Sequence, residues 1–157
     1  MAKRPLRRKI PDSAVQVEVA EDSRLLEFSF KHLDLQNPRF HSDNCDSAYL
    51  CSLLECIRRY SNYTVGKFTD FNHESDRSTI DPEKLRDQLA DKMLDEQLLD
   101  SEAWEFKVAP DAAIPPRSLW RAHGVRIGNV FYVIWLDPKH KLFESKHPKF
   151  KKISGKG

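Results

Sequence analysis

The stretch "RAHGVRIGNVFYVIWLD", residues 121 to 137, constrains the fold more than any other part of this chain. Two extended runs meet at Gly128-Asn129, a pair whose glycine reaches the positive φ that a two-residue hairpin turn demands. With that turn, Ile127 pairs with Val130, Val125 with Tyr132, His123 with Ile134 and Arg121 with Leu136. Arg121 and His123 then share one face, and Arg126 falls on the other, opposite Phe131. The run Val130 to Leu136 is apolar on both faces, which predicts a strand interior to a sheet. An Arg or His beside such a strand needs a partner or water, because burying an unpaired charge is costly.

The remaining elements follow from periodicity. Val15, Val17 and Val19 alternate with polar residues as a short first strand would, and Leu26, Phe28 and Phe30 do so again before the phase changes after His32. Asn37-Pro38 opens a turn, and Asp43 or Asn44 caps a helix on which Leu50, Leu53, Leu54, Ile57 and Tyr60 form the apolar face. Arg58 and Arg59 at its end complement the helix dipole. "TVGKFTDF" reads as a turn or short second helix. Asp81-Pro82 is a cap followed by a first-turn proline, predicting an acidic helix over 81–100 with Leu85, Leu89, Met93 and Leu98 inward. Trp104, Phe106 and Val108 alternate as a strand ahead of the proline-rich loop "APDAAIPPRS". The expected fold class is α+β: a twisted, mainly antiparallel sheet from residues 25–35, 103–109 and 119–137, with two or three helices packed on one face. The domain spans 15–144, between flexible basic tails at 1–14 and 145–157.

Charge is distributed unevenly. The first 11 residues hold Lys3, Arg4, Arg7, Arg8 and Lys9, and residues 139 to 157 hold seven lysines, Lys149, Lys151 and Lys152 among them, against Glu144 alone. The 14 basic and 23 acidic groups left over give the body of the chain a formal charge of about −9. Such ends either attract nucleic-acid phosphates through counterion release or simply solvate the protein. No apolar run approaches the roughly 18 residues of a membrane span, and no apolar segment follows the basic start, so a cytoplasmic protein with no membrane contact is expected. Cys45, Cys51 and Cys56 are odd in number and crowd one predicted helix, which predicts reduced thiols. With His41 they have no Cys-x-x-Cys pair, so no metal is expected, and no phosphate-binding Gly-x-x-x-x-Gly-Lys loop occurs. No cofactor is expected either.

The ending "HGVRIGNVFYVIWLDPKHKLFE", with "LEFSFKHLDLQNPRFHSDNCDSAYLCSLLECIRRYSNYTVGKF" before it, resembles a family of short, uncharacterised bacterial and mobile-element proteins. The likeness covers most of residues 25 to 144; the basic N-terminal extension, the lysine-rich tail and the acidic segment 81–100 depart from it. The order of elements is also similar to the RelE/YoeB-like toxin fold. That likeness implies metal-independent RNA cleavage, in which a 2′-OH attacks the adjacent phosphate and the protein supplies a base, an acid and cations. It would assign His123 as base or acid, Arg121 or Arg126 as charge stabiliser, His41 or His140 as second proton-transfer group, and Tyr132 as an RNA-positioning residue. Each has a structural reading beside it: His123 as a strand histidine donating to a carboxylate or carbonyl, Asp137 to His140 as a strand-ending turn with Asp137 capping amides, and the three tryptophans as core. Three function classes remain open: a toxin-like ribonuclease, a non-catalytic nucleic-acid-binding protein using its tails, and a protein-interaction module whose acidic segment meets an antitoxin-like or host partner.

Overall fold

A computed structural model describes residues 21–70, 75–81, 83 and 100–142. The expected strand at Val15 to Val19, the helix over 81–100 beyond its first residues, and both basic tails, including Lys3, Arg4, Arg7, Arg8, Lys9, Lys149, Lys151 and Lys152, lie outside the described residues. Five strands, β1 (Glu27–Ser29), β2 (Arg77–Ile80), β3 (Glu102–Lys107), β4 (Arg121–Ile127) and β5 (Val130–Asp137), form one sheet in the order β1-β5-β4-β3-β2. All neighbours are antiparallel except β1, which runs parallel to β5. Two helices, α1 (Ser47–Tyr60) and α2 (Val65–Thr69), supply the core of one face, and the expected α+β class with a mainly antiparallel sheet holds.

The hairpin closes at Gly128, whose φ of +59° at the first central position is what a type II′ turn requires. Ile127 pairs with Val130, Val125 with Tyr132 and Arg126 with Phe131, as expected. Beyond that the register changes. Gly124 pairs with Val133 but His123 pairs with Trp135, so β5 carries one extra residue, Ile134, and Arg121 meets Asp137 in place of Leu136. A bulge of this kind turns two consecutive side chains to the same side, and Ile134 and Trp135 both enter the core of the face opposite the helices. Glycine is what allows it: a Cβ on residue 124 would overlap the Tyr132 carbonyl and the Phe131 ring. The bulge also inverts the phase of everything after it, which brings Asp137 to the face of His123 and sends Leu136 to the helix side.

Three other elements differ from expectation. The α1 cap is Asp46, whose carboxylate accepts from the Tyr49 amide at 2.8 Å, while Asp43 and Asn44 belong to a preceding 3₁₀ turn. The buried stripe of α1 is Tyr49, Leu53, Cys56 and Tyr60, leaving Leu50 and Leu54 exposed at 37 % and 62 %. The tyrosines can take the core because each ring is buried with its hydroxyl satisfied: Tyr49 donates to the Arg121 carbonyl at 2.7 Å and Tyr60 to Asp76 at 2.6 Å. The extended structure expected over 25–35 is a strand of 3 residues, and β2 is an edge strand for which the sequence carried no expectation. On the helix side Phe28, Tyr60, Phe68, Trp104, Phe106 and Phe131 pack as one aromatic cluster. Phe40, stacked on Trp135 at 4.9 Å between centroids, and Leu142 cover the other face.

Candidate functional site

The polar side chains of β3, β4 and the turn after β5 converge on that second face. Asp137 organises them. Its Oδ1 accepts from the Lys141 amide at 2.7 Å, and its Oδ2 accepts from the Leu142 amide at 3.1 Å and from His123 Nε2 at 2.9 Å. An ionised carboxylate can only accept, so His123 Nε2 is the donor of this bond. His123 and Asp137 are both fully buried. Phe40 presents its ring to the imidazole at 6.4 Å between centroids, closing the site from above.

Glu105 is the second organiser. It lies directly across from His123 in the β3/β4 register, with Oε2 3.6 Å from His123 Nδ1. Its Oε1 accepts from Arg121 Nε at 3.1 Å and stands 3.4 Å from His140 Nε2. The Arg121 guanidinium is used up further by the carbonyls of Ser118 and Trp120, to which Nη1 donates at 2.8 and 3.1 Å. Burial pushes the Glu105 carboxyl up, but hydrogen bonding from His140 and the charges of His123, His140 and Arg121 outweigh it and hold the group below its ordinary range. At Asp137 burial acts in the same upward sense, and the His123 hydrogen bond and charge with the two turn amides likewise leave the carboxyl lowered.

His140 ends the turn that Asp137 and Pro138 begin. Its amide donates to the Asp137 carbonyl at 3.4 Å, and its φ of 53° makes it the one non-glycine residue of positive φ among the described residues. Histidine enters that region more readily than most side chains, and the Asp137 carboxylate fixes the two amides that follow. His140 keeps 30 % of its side chain exposed, against none for His123. Beside it lies a small niche lined by Arg39, Asn44, Lys139 and Lys141, where Arg39 Nη2 donates to the Lys141 carbonyl at 2.7 Å.

The other sequence candidates stand apart. Arg126 is on the helix side, where it donates to Glu102 at 2.7 Å and to the Gly128 carbonyl at 2.7 Å. His41 caps the 3₁₀ turn, Nδ1 accepting from the Asp43 amide at 3.0 Å. Tyr132 is half-buried against the second core, with its ring 5.1 Å from that of His32. The structural readings of His123 as a carboxylate partner and of Asp137 as a turn cap both hold. Glu105 escaped sequence reasoning; its position in the polar phase of β3, opposite His123, was the available signal. Cys45 is half-buried, Cys51 exposed and Cys56 buried, and no described group of three or more His, Cys, Asp and Glu residues is arranged to hold a metal ion. Among the described residues no helix is long and apolar enough to cross a membrane. No protein-family model, no curated protein and no solved structure matches the chain.

Proposed function

We propose that this chain is a toxin-like, RNA-directed protein of the cytoplasm that cleaves RNA without a metal, and that the proton-transfer group is His140. One observation carries the reading: of the two imidazoles that flank the Glu105 carboxylate, His140 alone reaches solvent, on a turn bordered by Lys139, Lys141 and Arg39. A general base must come within hydrogen-bond reach of the proton it takes, and a fully enclosed His123 does not meet that requirement. In the proposed step His140 accepts the proton of the attacking 2′-OH, with the Glu105 carboxylate 3.4 Å from its ring holding it in place. The bond from phosphorus to the 5′-oxygen breaks, a cyclic phosphate forms, and the leaving oxygen takes a proton from the imidazolium. Lys139, Lys141 and Arg39 offset the charge on the phosphorane. Arg121 and His123 act by holding Glu105 and the turn.

The complete enclosure of His123 favours a second reading, in which the hairpin is scaffold and the cations bind RNA without cutting it. Both are tested together with the purified protein in excess chelator. Cleavage by the wild type that falls at least about a hundredfold in His140→Gln, with RNA affinity kept, supports the enzyme. Salt-dependent binding with no cleavage supports the binding protein, with the log–log salt slope reduced by about one in Lys139→Gln plus Lys141→Gln. Neither binding nor cleavage rejects both.

A further inference from the structure

On the helix side of the molecule a cleft of about 560 Å³ separates α1 from the proline-rich loop over 108–117. That is the size of an ordinary small-ligand site. Ser52, Glu55, Cys56 and Arg59 form one wall at i, i+3, i+4 and i+7, a single stripe of the helix. The other wall is made of small apolar residues, with Asp111 and Arg117 at its edge. The floor holds no charge of its own: burial pushes the Cys56 thiol up to about 12, and its sulfur donates to the Lys107 carbonyl at 3.5 Å.

The two arginines of this cleft have no carboxylate within hydrogen-bond distance among the described residues. Arg77, Arg121 and Arg126 each donate to a carboxylate within 3.1 Å. Arg59 lies over the Tyr60 ring and reaches Asp76 only at 3.6 Å, a carboxylate that already accepts from Tyr60 and Arg77. Its Nη2 donates to the Cys56 sulfur at 3.8 Å, and its Nε, like that of Arg126, is buried without a hydrogen-bond partner. Arg117 stacks over Trp120 at 5.4 Å and forms no ion pair with a described carboxylate. Two guanidinium groups are therefore anchored on aromatic rings, on opposite walls, with donors in hand. Guanidinium N–H groups that face the cleft can give an incoming oxyanion charge-assisted hydrogen bonds. Glu55, Asp111 and the Ser52 hydroxyl add acceptors to the same cleft. A free aliphatic acid has no N–H to give them, whereas a peptide has several.

We propose that this cleft binds the C-terminus of another polypeptide: the terminal carboxylate between Arg59 and Arg117, an apolar last side chain against the small residues of the loop, and backbone amides toward Glu55 and Asp111. The site lies apart from His140 and does not depend on RNA cleavage.

The test uses calorimetric titration of the full chain with acetyl-Ala-Ala-Ile as the free acid, the same peptide as its C-terminal amide, and hexanoate. The acid is expected to bind, with the amide at least about tenfold weaker, hexanoate weaker still, and Arg59→Gln and Arg117→Gln each losing about tenfold. Arg117 is exposed and makes no structural hydrogen bond to a described carboxylate, so its variant keeps the wild-type melting temperature and reads binding alone. Acid and amide binding equally, hexanoate binding as well as the peptide acid, or no binding of the acid would each overturn the proposal.

Discussion

Two regions, one on each face of the sheet, use the same residue types for opposite ends. Opposite the helices, Arg121, His123 and Glu105 are locked by partners on three elements, and the Asp137 carboxylate alone serves two amides and an imidazole. On the helix side, Arg59 and Arg117 rest on aromatic rings beside an open cleft, with donors that no described carboxylate takes within hydrogen-bond distance. The contrast separates charge that holds the fold from charge held out for something else. Burial alone does not make that distinction; whether a guanidinium meets a carboxylate within hydrogen-bond distance does. His140 sits between the two conditions, tied to Glu105 yet partly open to water.

The sharpest way to break the comparison is to remove the organiser of the closed network. Asp137→Ala leaves His123 and two amides without their acceptor in a fully buried site, and a loss of about 3–5 kcal/mol is expected in urea unfolding. A loss below about 1 kcal/mol would mean that the network is not structural. Next in size is the pair Arg121→Gln and Arg117→Gln. The first gives up a charged hydrogen bond and two carbonyl contacts in a nearly buried setting, at a cost of about 1.5–3 kcal/mol; the second stays within about 0.5 kcal/mol of wild type. Equal costs would erase the distinction between the faces.

The smallest effect is a dependence on pH. The Asp137 and Glu105 carboxyls are both lowered in the folded protein, so the unfolded chain binds more protons between the folded and the ordinary carboxyl values. Their contribution is complete above the ordinary range near pH 4 and is lost as pH falls through the folded values. Urea midpoints measured from about pH 2 to pH 7 should fall on the acid side, and less steeply in Glu105→Gln. A midpoint that rises on acidification would contradict the assignment.

Much of this was legible in the chain. Gly128 marked the turn, the two-sided apolar run marked β5 as interior, and alternation marked β3. The bulge was not, because a period of two gives no sign of one extra residue; only Gly124, at the point where the strands close up, hinted at it. That single residue decides the site, since without it Asp137 would face the helices. β2 was missed because its four residues bury only the first and last, Arg77 and Ile80, which leaves no alternation to read. Arg77 is buried by donating to the Phe68 and Lys67 carbonyls and to Asp76, partners no local pattern announces. Glu105 looked like solvent-facing polarity, and the His140 that stands against it comes from the turn after β5, far away in sequence.

In the proposed mechanism the accessible imidazole beside Glu105 does the chemistry while the enclosed one builds the site. Diethyl pyrocarbonate modification, followed residue by residue by peptide mass spectrometry alongside RNA cleavage, tests it directly. We expect His140 to be modified at a rate matching the loss of cleavage, RNA to protect it, and His123 to stay unmodified while the protein remains folded. Cleavage that survives full modification of His140, or that is lost in step with His123 in the native protein, would contradict it.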